Sequence, residues 1–431
     1  MSIEVAWRSG HRSVVHGVKA NHIYEIVEPA GPAPGHPKPA PVADIAPLFQ
    51  NVSESLHHSH GAVVFSDFER QPLLPRSLSR LGPGVAWSDL DGDGRDELII
   101  GGDAGTSPAI FGHDGRGKFS RWESSSGNAL NTDLAGFANW VPAPGQRALL
   151  AGQFGLRTPD SETAPLARIL PKNVSGTATA AVEIIPGLRP SKTSGGPISV
   201  ADVDGDGDLD VFIGGRVVPG RDPESAASQL LINDRGTLRP DAAAENLLKQ
   251  TGLVSGATFS DLDGDGAPEL LLACEWGPLR IFRNSAGRLT EWNAPLTVPG
   301  EAAGSTLSQW TGWWTSVTTG DFDGDGRLDI AAGNWGLNTP YGTPTPARPV
   351  TMLYGDFDGN GSVDLLEAEL DSRGRLAPRR DMMILGPAGP NCARAFQTTS
   401  SSPWPTSRKS WVRTSPAPVR SPQPPFAQSS S

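Results

Sequence analysis

The sequence predicts an all-β protein built as a β-propeller, and three observations carry that expectation. One acidic loop pattern, D-x-D-G-[DN]-G-x-x-[DE], recurs five times along 431 residues. Each copy runs into a short apolar stretch and none into a long amphipathic helical one. The 51 Gly and 40 Pro have no collagen period, so they demand dense turns between short strands. A hydrophobic share of 37% against 19% charged residues gives a chain that can bury a core and argues against charge-driven disorder. The formal charge of −11 speaks against a nucleic-acid partner, which would need clustered Lys and Arg. No apolar run approaches about 18 residues, so no membrane span is expected.

Taken in order, residues 3–28 (IEVAWRSGHRSVVHGVKANHIYEIVE) alternate like the strands of a small β-unit. The start, MSIEVAWRSGHRSVV, lacks the apolar core of a signal peptide. Residues 29–44 carry Pro29, Pro32, Pro34, Pro37, Pro39 and Pro41, a density that stiffens a linker. The repeats occupy residues 45–396. They begin SDLDGDGRDELIIGG at Ser88, ADVDGDGDLDVFIGG at Ala201 and SDLDGDGAPELLLAC at Ser260. GDFDGDGRLDIAAGN follows at Gly320 and GDFDGNGSVDLLEAE at Gly355.

The leading aspartates are spaced by 113, 59, 60 and 35 residues. The first gap hides a worn copy, NWVPAPGQRALLAGQ from Asn139, which keeps the strand and has lost its acids. That makes six recognisable blade repeats. The last gap is too short for a full unit, so a reduced blade is expected before the final copy. A β-sandwich with scattered acidic turns would not need one motif at a fixed period.

The loops have the donor pattern of a hard-cation site. Oxygens at positions 1, 3, 5 and 9 and the carbonyl of position 7 can wrap calcium, which takes six to eight oxygens. The first loop offers Asp89, Asp91, Asp93, the Arg95 carbonyl and Glu97; the second Asp202, Asp204, Asp206, Asp208 and Asp210. The third offers Asp261, Asp263, Asp265, Ala267 and Glu269, and the fourth Asp321, Asp323, Asp325, Arg327 and Asp329. The fifth has Asp356, Asp358, Asn360, Ser362 and Asp364, where Asn360 replaces an acid and weaker binding is expected. An EF-hand would need a Glu at position 12 and flanking helices, but position 12 of the first loop is Ile100, inside a strand-like run. As ordinary polar turns, the loops would hold four carboxylates within nine residues in mutual repulsion. Four to five Ca2+ ions, acting as structural staples, would nearly cancel the formal charge.

These loops resemble the FG-GAP/VCBS repeats of integrin α-chain propellers and bacterial surface proteins. HSHGAVVFSDFERQPLLPRSLSRLGPGVAWSDLDGDG and GWWTSVTTGDFDGDGRLDIAAGNWGLNTPY further resemble propellers of the UnbV/ASPIC family, relatives of cartilage acidic protein. RRDMM at 379–383 fits a later family segment, and residues 3–28 are similar to the closing part of the ASPIC domain, so the resemblance spans about residues 3–396. It implies a seven-bladed propeller. It also implies a non-enzymatic role in an extracellular or cell-envelope parent, as a scaffold binding a protein or glycan. The rival class is a polysaccharide lyase or hydrolase working in the propeller funnel. Where the family has a Glu two residues after His60, this chain has Ala62, so any role of that acid is lost.

Residues 397–431 change character: they hold no Asp or Glu and no periodicity. Restoring one base after the Phe396 codon can yield a charge-balanced, amphipathic string similar to the family's continuation. The expectation is therefore a fragment that begins inside an ASPIC domain, loses its frame near residue 397 and lacks a blade. Such a piece would expose strand edges and could have no function of its own.

The remaining features point to packing. His57, His58 and His60 could seed a metal site but read better as a solvated turn. Trp310, Trp313 and Trp314 could stack on sugars, yet their place before a strand favours packing between blades. Cys274, in LLLAC, reads as a small core residue, and with Cys392 it makes no disulfide scaffold. Asn51-Val-Ser53 and Asn173-Val-Ser175 match a common sequon. No G-x-S-x-G elbow, phosphate loop or H-E-x-x-H occurs.

Overall fold

The computed structural model describes residues 2–7, 11–19, 22, 24–30, 49, 51–61, 65–126, 130–156, 162–174, 177–188, 190–297, 304–336, 339–341, 349–357, 361–371 and 374–380. Most of the Pro-rich stretch, Ala62, Asp358, Asn360, Cys392 and the 397–431 tail lie outside the described residues. Two compact units divide the chain, Met1–Glu54 and Ser55–Ser431. In the first, Ser2–Ala6 and Arg12–His16 form an antiparallel hairpin that sets Ile3 opposite Val15. Both strands alternate exposed and half-buried residues, as their sequence does.

Among its described residues the second unit is all-β apart from one short α-helix and the 3-10 turns Asp67–Glu69 and Leu307–Gln309, with a further turn at the boundary, and each of the six repeats contributes strands to a sheet. The first sheet runs in chain order through Val85–Ser88, Glu97–Ile100, Ala109–His113 and Phe119–Arg121. The worn copy builds the second, Asp133–Trp140, Ala148–Phe154, Leu166–Val174 and Thr177–Ile184, with Glu123–Ser126 added in parallel at its edge. The third holds Ser194–Ala201, Asp210–Val217, Gln229–Asp234 and Thr237–Pro240. The fourth holds Leu253–Ser260, Glu269–Pro278, Arg280–Ser285 and Arg288–Glu291.

Among the described residues the fifth repeat has only two strands, Thr311–Gly320 and Asp329–Asn334. The first of these also pairs with the end of Glu269–Pro278. The sixth sheet has three, Thr351–Gly355, Asp364–Leu370 and Leu376–Pro378. The short spacing between the fourth and fifth acidic loops thus corresponds to a reduced sheet.

Why the second strands of the first, third and fourth sheets open on an apolar run follows from the packing. Phe212 joins a core with Val254, Leu270, Leu272 and Phe282 of the next sheet. Its neighbours Val211 and Ile213 point the other way, into a core with Trp140, Leu150 and Leu166 of the preceding sheet. A strand buried on both faces shows no alternation, which is the pattern of ELIIGG, DVFIGG and ELLLAC. Cys274, fully buried, belongs to the same core, and its thiol is pushed up to about 12 by burial.

First strands also pack on first strands. Val85–Ser88 meets Asp133–Trp140, which meets Ser194–Ala201, then Leu253–Ser260, then Thr311–Gly320. Glycine permits this approach: a Cβ on Gly136 would lie 2.7 Å from the Gly196 carbonyl oxygen, and one on Gly256 would lie 2.8 Å from Ser316 Cα. The sequence shows no helical stretch, yet Ala242–Leu248 is a helix. It is short, is capped by Asp241, whose side chain accepts from the Ala243 N–H, and buries Ala244 and Leu248.

Candidate metal centres

Every acidic loop sits at the turn between the first and second strands of its sheet. The same backbone pattern shapes each one. The leading aspartate accepts from the glycine amides at positions 4 and 6: Gly92 and Gly94 to Asp89, Gly205 and Gly207 to Asp202. Gly264 and Gly266 do so to Asp261, and Gly324 and Gly326 to Asp321. The position-9 acid reaches back to the amide of position 2, as Glu97 does to Leu90, Asp210 to Val203, Glu269 to Leu262 and Asp329 to Phe322. Among its described residues the fifth loop has two of these bonds, Gly361 to Asp356 and Phe357 to Asp364. The glycines at positions 4 and 6 of the first four loops have positive φ, 82° and 86° at Gly92 and Gly94, so the turn needs them.

This shape gathers the carboxylates. Oxygens of Asp202, Asp204 and Asp206 all lie within 4.8 Å of one another. So do those of Asp261, Asp263 and Asp265, of Asp321, Asp323 and Asp325, and of Asp89, Asp91 and Glu97. Two ligands of one calcium ion, each about 2.4 Å from it, can stand no farther apart than about 4.8 Å, so the donor sets fit a hard cation. Asp93 falls outside the first cluster and is held by Arg95, Nη2 at 2.6 Å from Oδ2. That guanidinium bond keeps the Asp93 carboxyl below its usual range. Arg327 bonds Asp325 in the same way at 2.7 Å and lowers its carboxyl too, yet Asp325 stays within its cluster; Arg147 of the worn copy reaches Asp89 Oδ2 at 3.2 Å. In the second loop position 7 is Asp208, whose carboxylate accepts from the Arg235 amide; in the third it is Ala267.

Crowding is visible in the titration of these groups. Burial, with the charges of Asp91, Asp93 and Asp89 behind it, pushes Glu97 up to about 7. Burial pushes Asp210 up to about 6 despite the amides of Asn233 and Val203. Glu269 and Asp204 are raised as well, burial first and neighbouring aspartates next.

Two further residues belong to the loops and were invisible to the motif search. Asn284 donates from Nδ2 to the carbonyl of Val203 at 2.8 Å, tying its own hairpin to the acidic loop of the preceding sheet. Asn233 occupies the same place one sheet earlier and reaches the Pro142 carbonyl at 3.5 Å. Each also accepts from a glycine amide three residues on, so a repeated Asn-x-x-Gly was the available signal.

The other candidates divide. His57 is exposed, but His58 packs edge-on against Phe111 and His60 lies 3.6 Å from Asp103, so a solvated turn describes only the first of the three. Trp313 is buried and stacks on Trp335 at 4.3 Å, while Trp310 and Trp314 line an apolar cavity with Leu271 and Ile330.

A family model described as an FG-GAP-like repeat matches residues 261–332, which contain the third and fourth loops. No curated protein matches the chain. Among solved structures, rhamnogalacturonan lyase YesW is similar at 15% identity over 69% of this chain and 51% of its own, with a TM-score of 0.25. The V. cholerae biofilm matrix protein Bap1 is similar at 14% identity over 68% and 47%, with a TM-score of 0.26. The Bacillus licheniformis rhamnogalacturonan lyase PL11 is similar at 19% over 69% and 48%, with a TM-score of 0.23. The chain spans about half the length of these structures.

Proposed function

We propose that the chain is a calcium-stapled β-propeller that serves as a non-enzymatic binding scaffold, for a protein or glycan, in an extracellular or cell-envelope setting. The observation that carries the reading is the recurrence of one carboxylate cluster, on one hydrogen-bond pattern, at the same turn of four sheets. The FG-GAP-like match and the resemblance to UnbV/ASPIC propellers support the same architecture. The metals act structurally: each ion relieves carboxylate repulsion and clamps a first strand to a second. Loops two and three bind most strongly, because no arginine engages their position-5 aspartates. No helix of the described residues is long and apolar enough to cross a membrane.

Thermal melts in millimolar calcium and after its removal test the reading, with Asp202, Asp204 and Asp206 replaced together by Asn. Calcium should raise the wild-type transition by many degrees, and the triple variant should lose a large part of that gain. The matching triple variant at Asp321, Asp323 and Asp325 should lose less. Equal melts with and without calcium would remove the metal reading. Turnover on a glycan panel would replace the scaffold with the rival lyase or hydrolase.

A further inference from the structure

A cavity of about 430 Å3 lies against the first strands of the second to fifth sheets, and two arginines stand in its wall. Arg76 and Arg216 each give one Nη2 to the same oxygen, Oε1 of Glu275; the Arg216 bond is 2.6 Å. The side chains are largely buried, at 19%, 11% and 5% exposure for Arg76, Arg216 and Glu275. Burial opposes the Glu275 charge, but the guanidiniums of Arg216 and Arg76 outweigh it and hold the carboxyl below its usual range.

What is unusual is how little of the donor capacity is used. A guanidinium carries five N–H donors in a planar fork. Among the described residues, neither of these two meets a second hydrogen-bond acceptor, and the Nε of Arg76 is buried with no partner. Burying unsatisfied donors is costly, so this much unused capacity in the wall of a cavity needs an explanation. Packing supplies part of it: Arg76 lies over the rings of Trp313 and Trp335, at 5.3 and 5.4 Å from their centroids. That contact restrains the guanidinium while its remaining N–H donors stay unpaired.

We propose that this cavity binds a small organic carboxylate, whose two oxygens take the open N–H edges of Arg76 and Arg216 while its body rests on Phe137, Phe154 and Ile198. The charge balance selects a monoanion. Two guanidiniums against Glu275, with the buried Asp222 neutral below a pKa that burial pushes up to about 7, leave one positive charge, which a carboxylate cancels. A doubly charged phosphate would overshoot and face Glu275 and the buried Asp222. The apolar wall selects a ligand with a hydrophobic body. The inference goes beyond the scaffold reading and does not depend on it.

Isothermal titration of the full chain with benzoate and hexanoate, in calcium throughout, tests the proposal. Inorganic phosphate and benzyl alcohol serve as controls. Saturable binding of a carboxylate probe is expected, without comparable binding of either control. Losing charge-assisted bonds should weaken it by about tenfold or more in Arg216→Gln. Glu275→Gln, which removes the internal competitor, should tighten it. Should either single variant fail to fold, the pair R216Q/E275Q removes one charge of each sign and leaves Arg76 with the nearby buried Asp222; with the net charge unchanged, loss of the Arg216 fork should still weaken binding, by less than in Arg216→Gln. No saturable binding of either carboxylate, binding unchanged in the arginine variants, or equal binding of benzyl alcohol would overturn the proposal. A failure of the metal reading would show separately, in the calcium melts.

Discussion

At the residue scale, the acidic loops combine two demands that oppose each other. The position-9 acid must be buried to bond the amide of position 2, yet burial beside other carboxylates disfavours its charge. Glu97, pushed up to about 7, and Asp210, pushed up to about 6, carry that conflict. A carboxyl whose folded pKa is raised favours the folded state at low pH and takes stability away as pH climbs from its ordinary value to the raised one. Glu275, held low by its arginines, acts in the opposite sense, but its stabilisation is lost only as pH falls below the ordinary glutamate range. Metal-free protein should therefore melt several degrees higher near about pH 5.5 than near about pH 7.5. Calcium, by stabilising the charged forms of Glu97 and Asp210, should remove their share of that difference and leave that of Asp222, which burial also pushes up to about 7. Melts of stripped and calcium-loaded protein across this window check it; a metal-free transition flat in pH would contradict the crowding.

At the element scale, the question is what joins one sheet to the next. Face-to-face apolar cores do most of it, but Asn284 adds a polar tie from one hairpin to the loop before it. Its Nδ2 satisfies the buried Val203 carbonyl, and its Oδ1 accepts from Gly287. Asn284→Ala removes both bonds from a side chain only 2% exposed and should cost about 1–3 kcal/mol. Chemical denaturation reads this directly, and the loss should add to, and partly overlap, that of the Asp202 loop variants because the two share one loop.

The strands themselves were legible because the repeat marks where each first strand ends and second strand begins. The ligand sets were legible because nine consecutive residues hold them. The Asn tie was harder, since its partner lies 81 positions away. The Arg76–Glu275–Arg216 cluster had no local signature at all: its members are 199 and 59 positions apart, and only sheet packing brings them together. The fifth sheet shows the converse. Its loop reads as well as the others, yet Phe322 and Ile330 are exposed where the matching Val203 and Val211 are buried. Among the described residues it has two strands where the other acidic-loop sheets have three or four, and a nine-residue motif says nothing about that.

At the scale of the whole second unit, sheets that pack on their neighbours in sequence leave the last one to be held by residues far from it. The segment at 67–81 does this. Asp67 organises it by accepting from the Ser77 hydroxyl and from the amides of Leu78 and Ser79, the latter two at 3.1 and 3.0 Å. Leu73, Leu74 and Leu78 then enter a core with Val217 of the third sheet and Met352, Leu353, Leu365 and Leu366 of the sixth. Gln71 donates from Nε2 to the carbonyls of Asp222 at 2.9 Å and Val363 at 2.7 Å, and accepts from the Asp222 amide. Arg380 closes the set by donating to the Leu74 carbonyl at 2.9 Å.

Two of these contacts span about 300 positions, so the sixth sheet is joined by bonds that chain connectivity does nothing to favour. Gln71→Ala strips three hydrogen bonds from groups with no route to water and should destabilise the unit by about 2–4 kcal/mol. The loss should not be uniform. Amides of Asp364–Leu370 should lose protection from hydrogen exchange first, while those of Glu269–Pro278, packed between neighbours on both faces, keep theirs. Equal loss of protection in both strands would mean that the sixth sheet is held as firmly by its own packing as the fourth, and that the 67–81 segment merely covers it.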